Sequence, residues 1–327
     1  MSLLHISGLN FSIEENQIVK DFSFEINEGE IIAILGESGS GKSTILRLFA
    51  ALEQPKSGTL LLDEERIIPP AEKLIAGNEN IKLVKQDFGL FPNISLRENI
   101  AYEVRFYEES YRNQRVDKLL KISSLDKISH RLPRQVSGGE QQRAVIARAL
   151  ADEPRLLLLD EPFSHLDSLN KSRLKAEILT TIQEEKCGCV FVTHEVNDAY
   201  GIANKMVVIR KGKTLQIGTP VDIYERPECA YTAQLTGSCN LLSVAEMKLL
   251  KGDSKETETT FMIRPEWLIE DENGFLCSVK TVTFSGHFYQ YEVEVRGLWL
   301  KWMCFKHFAF ILYAFCIYAF YFMYFTR

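Results

Sequence analysis

The chain has 327 residues, a formal net charge of -6, 25% charged residues and 46% hydrophobic residues, a composition that excludes intrinsically disordered and collagen-like proteins. The length favours two domains. Because the balance of charge is acidic and the sequence has no basic patch, the electrostatic attraction on which most nucleic-acid binding depends is missing, and we expect no nucleic-acid partner.

The N-terminal part of the chain predicts a strand, a glycine-rich turn and a helix in succession. Residues 3–11 and 22–27 alternate in part between apolar and polar positions, and residues 30–35 form a short apolar run that ends at Gly36. Such a run is typical of a buried strand. The apolar residues within 43–52 have helical spacing, so we expect a helix directly after the turn.

Two later apolar runs, Leu156–Leu159 and Cys189–Thr193, predict further buried strands. Residues 88–150, which precede the first of these runs, are mostly helical in pattern and predict an inserted helical subdomain. Strands that alternate with helices indicate an α/β domain with a largely parallel sheet.

The C-terminal part of the chain predicts a second, smaller domain. The helical pattern after Gly218-Thr219-Pro220 ends near Leu235, so we expect the first domain to span residues 1–237. Residues 248–260 are polar and charged, which indicates a linker or a hairpin loop, and we take the linker to span residues 238–260. β-rich runs within 261–297 then predict a small β domain.

The cysteines and the N-terminus bear on the cellular compartment. The seven cysteines are scattered, include no C-x-x-C pair and have no histidines at metal-ligand spacing, which favours a reducing compartment. The first ten residues show no basic region followed by an apolar run, so we expect no secretory signal peptide. Together these features predict that the catalytic part lies in the cytoplasm.

Residues 36–43 fit the pattern G-x-x-x-x-G-K-[ST], and they lie between a predicted strand and a predicted helix, as this phosphate-binding motif requires. Its glycines let backbone N–H groups turn toward phosphate oxygens, Lys42 would reach the β and γ phosphates, and the Ser43 hydroxyl would ligate magnesium. The alternative is a solvated glycine turn with a surface lysine. The residues expected to bind the nucleotide here are Gly36, Glu37, Ser38, Gly39, Ser40, Gly41, Lys42, Ser43 and Thr44.

Two carboxylates, Asp160 and Glu161, follow the apolar run Leu156–Leu159. They stand at the carboxyl end of a predicted strand, where ligands bind in open α/β sheets. Asp160 would hold the magnesium shell, and Glu161 would act as the base that polarises the attacking water. Ordinary surface acids at a strand end are the alternative, which the neighbouring phosphate-binding motif makes less attractive.

A second anion-binding pattern begins at Ser137, where a serine and two glycines precede the helical run 144–150. One chain does not need two such sites for one nucleotide. The economical interpretation is that this second site serves the nucleotide of a neighbouring subunit, and a plain helix cap is the alternative.

At this point the chain resembles the nucleotide-binding subunits of ATP-binding cassette (ABC) transporters, over about residues 3–240. Beside the phosphate-binding motif, the run Ser137–Gln141 is similar to the family signature, Gln86 to the glutamine that senses the γ-phosphate and the permease, Ser164–Asp167 to the D-loop, and His194 to the switch histidine. These motifs occur in the family order.

The resemblance implies a P-loop NTPase fold and a set of roles. It makes Glu161, His194 and Gln86 catalytic, and it makes Ser43, Gln86 and Asp160 the ligands of Mg²⁺. It adds further ATP-binding residues: Phe11, Ser137, Gly138, Gly139 and Asp167.

The resemblance also implies a homodimer in which two ATP molecules lie between the phosphate loop of one subunit and the signature of the other. Dimer closure would drive integral-membrane permease subunits through the helical lobe near Gln86 and Phe91. A periplasmic or lipoprotein substrate-binding protein would take part indirectly. The expected location is peripheral, on the cytoplasmic face of the cell membrane.

Three positions depart from the family pattern. An aromatic residue that stacks on adenine is common near position 13, but this chain has Ile13, with Phe11 two residues earlier. The residue before the sensing glutamine is usually apolar and is Lys85 here. His165 occupies a D-loop position that often holds a small residue. None of these departures removes a catalytic group.

The C-terminal region narrows the subclass. Gly218–Pro220, Ile223–Pro227, Ile263–Glu266 and Val282–Gly286 resemble importer ATPases with an accessory domain like the oligonucleotide-binding fold. Such ATPases serve ferric iron, polyamines, sulfate, molybdate or sugars. Glu140, where sugar importers usually have glutamine, favours ferric iron, and polyamine is retained as a second cargo.

Three rival functions share part of this pattern. Chromosome-maintenance ATPases interrupt the domain with very long coiled coils, for which the interval between Ser43 and Ser137 is too short. Translation-associated proteins need two ATPase domains, and this chain has one. A hydrolytically silent subunit is disfavoured by the intact Glu161.

The hydrophobic tail, residues 298–327, contains an uncharged apolar and aromatic run from Phe308 to Phe325. A helix of that length spans roughly 27 Å, slightly short of the roughly 30 Å hydrocarbon core. Tyrosines run through the stretch rather than standing at its two ends. We interpret the tail as non-native sequence, for example a frame-shifted end that truncates the β domain; a membrane anchor and a buried helix are the alternatives.

Overall fold

The computed structural model of the chain describes residues 2–87, 89–164, 168–251, 260–304, 315–319 and 323–325. The chain divides into two compact units, unit 1 over Met1–Pro220 and unit 2 over Val221–Arg327. Each unit has a hydrophobic core of its own.

The strands of unit 1 are β1 (Ser2–Ile13), β2 (Asn16–Asn27), β3 (Ile31–Leu35), β4 (Ser57–Leu62), β5 (Glu65–Arg66), β6 (Ile81–Val84), β7 (Leu156–Asp160), β8 (Gly188–Thr193), β9 (Lys205–Arg210) and β10 (Lys213–Gly218). Its helices are α1 (Lys42–Phe49), α2 (Leu96–Ala101), α3 (Glu109–Ile122), α4 (Gly138–Leu150), α5 (Ser168–Glu184) and α6 (Val196–Ala199).

Unit 1 has two sheets. One is antiparallel, in the order β2-β1-β4-β5. The other is the central sheet, in the order β10-β9-β3-β8-β7-β6, which is parallel from β9 to β6 and carries β10 as an antiparallel edge. All residues of β3 and β8 are buried, which explains their continuous apolar sequence. The expected α/β class with a largely parallel sheet is confirmed.

Helices α2, α3 and α4 lie within residues 88–150, where the sequence predicts an inserted helical subdomain, and are called the helical lobe below. Ser95 and Ser137 cap α2 and α4, each in a capping box with the glutamate three residues later. Arg115 of α3, whose side chain is 4% exposed, donates hydrogen bonds to the Ala151 and Leu150 carbonyls and pairs with Glu185. A buried cation therefore ties α3 to the C-terminal ends of α4 and α5.

Unit 2 contains the following elements in chain order: α7 (Pro220–Glu225), which begins at the last residue of unit 1, α8 (Ala230–Thr236), β11 (Asn240–Leu242), α9 (Val244–Lys251), β12 (Thr260–Ile263), β13 (Leu268–Phe284), β14 (Tyr289–Val295), β15 (Leu298–Cys304), β16 (Phe315–Ala319) and β17 (Met323–Phe325). The strands form two antiparallel sheets, β11-β12-β17 and β15-β14-β13-β16.

Part of the segment interpreted as a linker, 238–260, is regular structure. It holds β11 and α9, and Ser243 with Glu246 forms a capping box at the start of α9. Met247 and Leu250 of α9 are buried in the core of unit 2. Two buried positions in one short helix are too few to show a helical period in the sequence.

Residues 298–304, which the sequence analysis places in the hydrophobic tail, form β15 beside β14. Leu298, Leu300 and Trp302 are its buried positions, and the Trp302 Nε1–H donates to the Leu268 carbonyl at 2.8 Å. No helix in the described part of the chain is long and apolar enough to cross a membrane. Most of the run 308–325 lies outside the described residues, so the interpretation of the remaining tail stays a prediction.

Candidate active site

The loop between β3 and α1 has the geometry of a phosphate cradle. Gly39 and Gly41 have φ values of 77° and 103°, in the left-handed region that favours glycine. The side chain of Lys42 is buried, and its Nζ donates to the carbonyls of Gly36 (2.8 Å) and Glu37 (3.0 Å). Burial lowers the pKa of the Lys42 ammonium.

The remaining positions of the motif surround this lysine. Glu37, Ser38 and Gly39 are exposed on the loop, and Thr44 is half-buried in the first turn of α1. The Ser40 hydroxyl is buried and lacks a hydrogen-bond partner among the described residues. An unsatisfied buried hydroxyl is costly, and an oxygen of a bound phosphate would satisfy it. The residues of the loop therefore fit a nucleotide phosphate.

The end of β9 and the turn that leads to β10, residues 209–212, pack directly against this loop. The Gly212 N–H donates to the Ser40 carbonyl at 3.0 Å, and the Arg210 guanidinium lies 3.8 Å from the Glu37 carboxylate. A Cβ atom on Gly36 would lie 2.6 Å from the Ile209 carbonyl oxygen. The backbone of the loop thus approaches this turn too closely for a side chain at position 36.

The acid pair at the end of β7 meets the first turn of α1. The Ser43 hydroxyl donates to Asp160 Oδ1 at 3.0 Å. Burial raises the pKa of the Asp160 carboxyl, and the adjacent charge of Glu161 adds to that effect. The phosphate loop and the acid pair therefore form one site at the carboxyl end of the central sheet.

Glu161 and His194 face each other across the ends of β7 and β8. His194 Nδ1 lies 3.2 Å from Glu161 Oε1. Glu161 has a left-handed backbone with a φ of 47°, an unfavourable conformation for a residue with a side chain, and its N–H donates to the Val192 carbonyl at 3.2 Å. The strained turn directs the carboxylate of Glu161 toward the imidazole of His194.

Gln86 joins the same cluster through Ser164. The Gln86 Nε2 donates to Ser164 Oγ at 3.4 Å, and the Ser164 hydroxyl donates to the Glu161 carbonyl at 3.0 Å. Asp167 and His165 lie outside the described residues, so the predicted nucleotide contact of Asp167 stays a prediction.

The oxygen atoms of the site suit a hard divalent cation. The Ser43 hydroxyl, the Asp160 carboxylate and the Gln86 amide carbonyl are all oxygen donors, which Mg²⁺ prefers. Ser43 and Asp160 are already in contact. The residues present therefore fit Mg²⁺.

Ser137 begins α4 with its side chain exposed, and Gly138 is open on the side where a Cβ would stand. The Ser137 hydroxyl donates to Glu140 Oε2 at 3.0 Å, and the Ser137 N–H donates to the same oxygen at 2.7 Å. That backbone hydrogen bond lowers the pKa of the Glu140 carboxyl. Gly139 is half-buried in the first turn of α4.

The predicted adenine contact fits the structure less well. Phe11 is 8% exposed and belongs to the core of unit 1, whereas Ile13 is 56% exposed. A phenyl ring that is buried in the core offers little surface on which a base could stack. Ile13 presents more apolar surface to a ligand than Phe11 does.

Sequence reasoning missed two features that border the site. The glycine within Arg210–Lys213 is a turn signal, but nothing in the sequence indicates that this turn contacts the phosphate loop. Asp198, a buried acid behind His194, carries no sequence signal at all.

Comparisons with known proteins agree on one family. A family model described as ABC transporter matches residues 19–164. The Fe(3+) ions import ATP-binding protein FbpC 2 of Haemophilus influenzae is 33% identical over 321 residues, covering 91% of this chain and 90% of that protein. The sulfate/thiosulfate import ATP-binding protein CysA of Mesostigma viride is 33% identical over 309 residues, covering 90% of this chain and 87% of that protein.

Two further matches are shorter. The putrescine transport ATP-binding protein PotG of Escherichia coli is 37% identical over 243 residues, covering 73% of this chain and 63% of that protein. Among solved structures, cbiO1 of Clostridium perfringens, described as part of the ABC transporter complex cbiONQ, superposes with a TM-score of 0.65 at 26% identity. That match covers 69% of this chain and 91% of that chain.

Proposed function

Since this chain belongs to the ABC transporter family and is similar to import ATP-binding proteins over most of its length, we propose that it is the ATP-hydrolysing subunit of a binding-protein-dependent ABC importer. The observation that carries the proposal is the single cluster at the end of the central sheet, where Lys42, the Ser43–Asp160 pair and the Glu161–His194 pair meet.

The residues of the cluster divide the reaction between them. Lys42 binds the β and γ phosphates through its ammonium group. Glu161 orients the attacking water and accepts its proton, and the neighbouring His194 contacts the γ-phosphate. Ser43, Asp160 and Gln86 would hold Mg²⁺, which supplies neutralisation of phosphate charge when bound. Catalysis is then mostly positioning and electrostatic stabilisation.

The proposed assembly is a head-to-tail homodimer. Ser137, Gly138 and Gly139 of one subunit would contact the ATP that is held by the phosphate loop of the other. The exposure of the first turn of α4 supports this role, because N–H groups at a helix N-terminus attract anions. ATP closes this dimer, and hydrolysis reopens it.

The proposed partner in the membrane is a pair of permease subunits, which would contact the helical lobe. Phe91 and Tyr102 are 39% and 41% exposed and pack against each other, and Phe106 is 87% exposed. Aromatic side chains at a surface are typical of protein interfaces. They lie on the lobe that follows Gln86 in the chain, so the nucleotide site and the permease would be coupled there.

The proposed cargo is ferric iron, with polyamine as the second choice. Glu140, which favoured iron in the sequence analysis, caps α4, and that contact with Ser137 explains its identity without reference to cargo. The cargo proposal therefore rests on the named relatives. The substrate-binding protein would meet the permease rather than this chain, and the proposed location is the cytoplasmic face of the membrane.

The structure does not support the alternative of a chromosome-maintenance ATPase. Between α1 and α4, the longest helix in the described ranges is α3, with 14 residues. A long coiled coil needs far more than that.

The test is the rate of ATP hydrolysis by Glu161→Gln. This variant should bind ATP, trap a closed dimer and lose at least about 100-fold in turnover, the usual scale of general-base catalysis. Lys42→Ala should instead lose ATP binding. Glu72→Gln removes an acid on the surface of unit 1 and is the control. Hydrolysis at the parent rate by Glu161→Gln would show the assignment to be wrong.

A further inference from the structure

Asp198 is a buried acid that the proposed reaction does not use. Its side chain is 3% exposed, and it stands four residues after His194, in the short helix α6. A carboxylate is seldom buried to this extent unless it is paired, because desolvation penalises its charge. The partners of Asp198 therefore indicate what the acid does.

One set of partners closes the turn that carries His194. The Thr193 hydroxyl donates to Asp198 Oδ2 at 3.0 Å, and the Asp198 N–H donates to the Glu195 carbonyl at 3.0 Å. The Glu195 N–H donates in turn to Thr193 Oγ1 at 3.0 Å. The residues on both sides of His194 are thus hydrogen-bonded to each other and to Asp198.

The second set of partners comes from α5. Lys171 and Lys175 are four residues apart on one face of that helix, and their ammonium groups lie 2.7 and 3.2 Å from Asp198 Oδ1. Lys171 also bonds Glu195 Oε2 at 2.7 Å, and Lys175 donates to the Asn197 carbonyl at 2.5 Å. Both lysine side chains are largely buried, with exposed fractions of 15% and 14%. The His194 turn is therefore fastened to α5 by charge.

His194 itself has little packing to hold it. Its side chain is 43% exposed, yet its Nδ1 lies 3.2 Å from Glu161 Oε1. A fixed backbone reduces the number of positions that an exposed imidazole can reach. The Asp198 network holds the backbone on both sides of His194.

We propose that Asp198 is a positioning residue for ATP hydrolysis, which fixes the His194 turn against α5 so that the imidazole faces Glu161. The inference rests on the proposed function, because His194 matters only if this site hydrolyses ATP. It adds a residue, and two lysines of α5, to the groups on which the rate of the reaction depends.

The experiment compares two variants, in each of which one buried acid is replaced by its amide. Asp198→Asn keeps the shape and the acceptor for Thr193 but loses the charge that holds Lys171 and Lys175. Glu185→Gln is the matched control, because Glu185 is 6% exposed, is paired with Arg115 and Lys118 of α3, and lies outside the His194 turn. For each variant, kcat for ATP hydrolysis, Kd for ATP and the thermal midpoint are measured.

Asp198→Asn should lower kcat about tenfold with Kd for ATP unchanged within about twofold, because only the chemical step loses its orientation. In a His194→Ala background it should have no further effect on kcat, because both changes remove the same interaction. Glu185→Gln should lower the thermal midpoint and leave kcat at the parent value.

A different pattern would overturn the inference. If both variants lose only thermal stability, Asp198 is merely structural. The same conclusion follows if the loss of kcat in Asp198→Asn adds in full to the loss of kcat in His194→Ala. If Asp198→Asn does not fold, Lys175→Gln takes its place, because it removes one of the two ammonium partners of Asp198. A kcat equal to that of the parent protein in Lys175→Gln would also overturn the inference. Parent kcat in His194→Ala would instead contradict the proposed function.

Discussion

The Ile18 carbonyl oxygen lies against Gly212, only 2.1 Å from where a Cβ atom on that glycine would stand. The same oxygen is 3.0 Å from the Cβ position of Gly41, in the phosphate loop. Strand β2 is therefore held between the β9–β10 turn and the phosphate loop, and a displacement at one of them reaches the other through a single backbone carbonyl.

Gly212→Ala should raise Kd for ATP about tenfold, because the new methyl group must push Ile18 toward Gly41 and distort the cradle. Gly212 has a φ of 79°. The matched control is Gly29→Ala, since Gly29 has a φ of 70° and no atom within 4 Å of its Cβ position.

Both substitutions carry the backbone strain of a left-handed alanine, about 1 to 2 kcal/mol. Only the collision at position 212 reaches the nucleotide site. Titration of the folded variants with ATP measures the difference, and equal Kd values in the two variants would contradict the proposed bracing of the loop.

Two defective subunits should restore each other if the first turn of α4 acts on the ATP of its partner. A Lys42→Ala subunit and a Ser137→Arg subunit, mixed, place both defects in one composite site and leave the other intact. Some ATP-dependent dimer closure, measured by light scattering or gel filtration, should survive in the mixture, whereas each variant alone should show none. Equal loss in all three samples would argue against sharing between subunits.

Arg115→Met should destabilise unit 1 by about 3 kcal/mol, because removal of one partner leaves the Glu185 carboxylate buried without its main counter-charge. Lys121→Met, an exposed cation in the last turn of the same helix, is the control and should change the free energy of unfolding by less than about 0.5 kcal/mol. Urea denaturation measures both values.

The Arg115–Glu185 ion pair should also make the stability of unit 1 depend on pH. Burial opposes the charge of Glu185, but hydrogen bonds from Arg115 and Lys118 outweigh it and lower the pKa of this carboxyl below its ordinary 4.5. A carboxyl group whose pKa is lowered by folding stabilises the folded chain at pH values above its ordinary pKa. This stabilisation is lost as the pH falls through the lowered pKa of the folded chain. The difference in the free energy of unfolding between the parent protein and Arg115→Met should therefore decrease below pH 4.5. If this difference stays constant below pH 4.5, Arg115 stabilises the protein by packing rather than by its charge.

The parts of the site that sequence could predict depend on local signals. The buried strand before Gly36 and the helix after it each follow from residues within a few positions of one another. The acid pair at the end of β7 stands out because two charges follow a run of four leucines. Short-range patterns of this kind determine local structure directly.

The parts that could not be predicted depend on contacts between distant segments. Asp198 meets Lys171 only because α5 and α6 pack beside the same end of the sheet, and no spacing in the sequence encodes that meeting. Helix α9 was missed because two buried residues in one short helix are too few to show a period. Tertiary packing, rather than propensity, decides both.

Lys42 already has two acceptors, the carbonyls of Gly36 and Glu37, within its own loop. An ammonium group has three N–H donors, so these two hydrogen bonds fix the direction of the Lys42 side chain and leave one donor for a ligand. The backbone of the loop thus orients the cation in advance. Part of the entropy cost of holding a flexible lysine in one conformation is therefore incurred on folding rather than on binding.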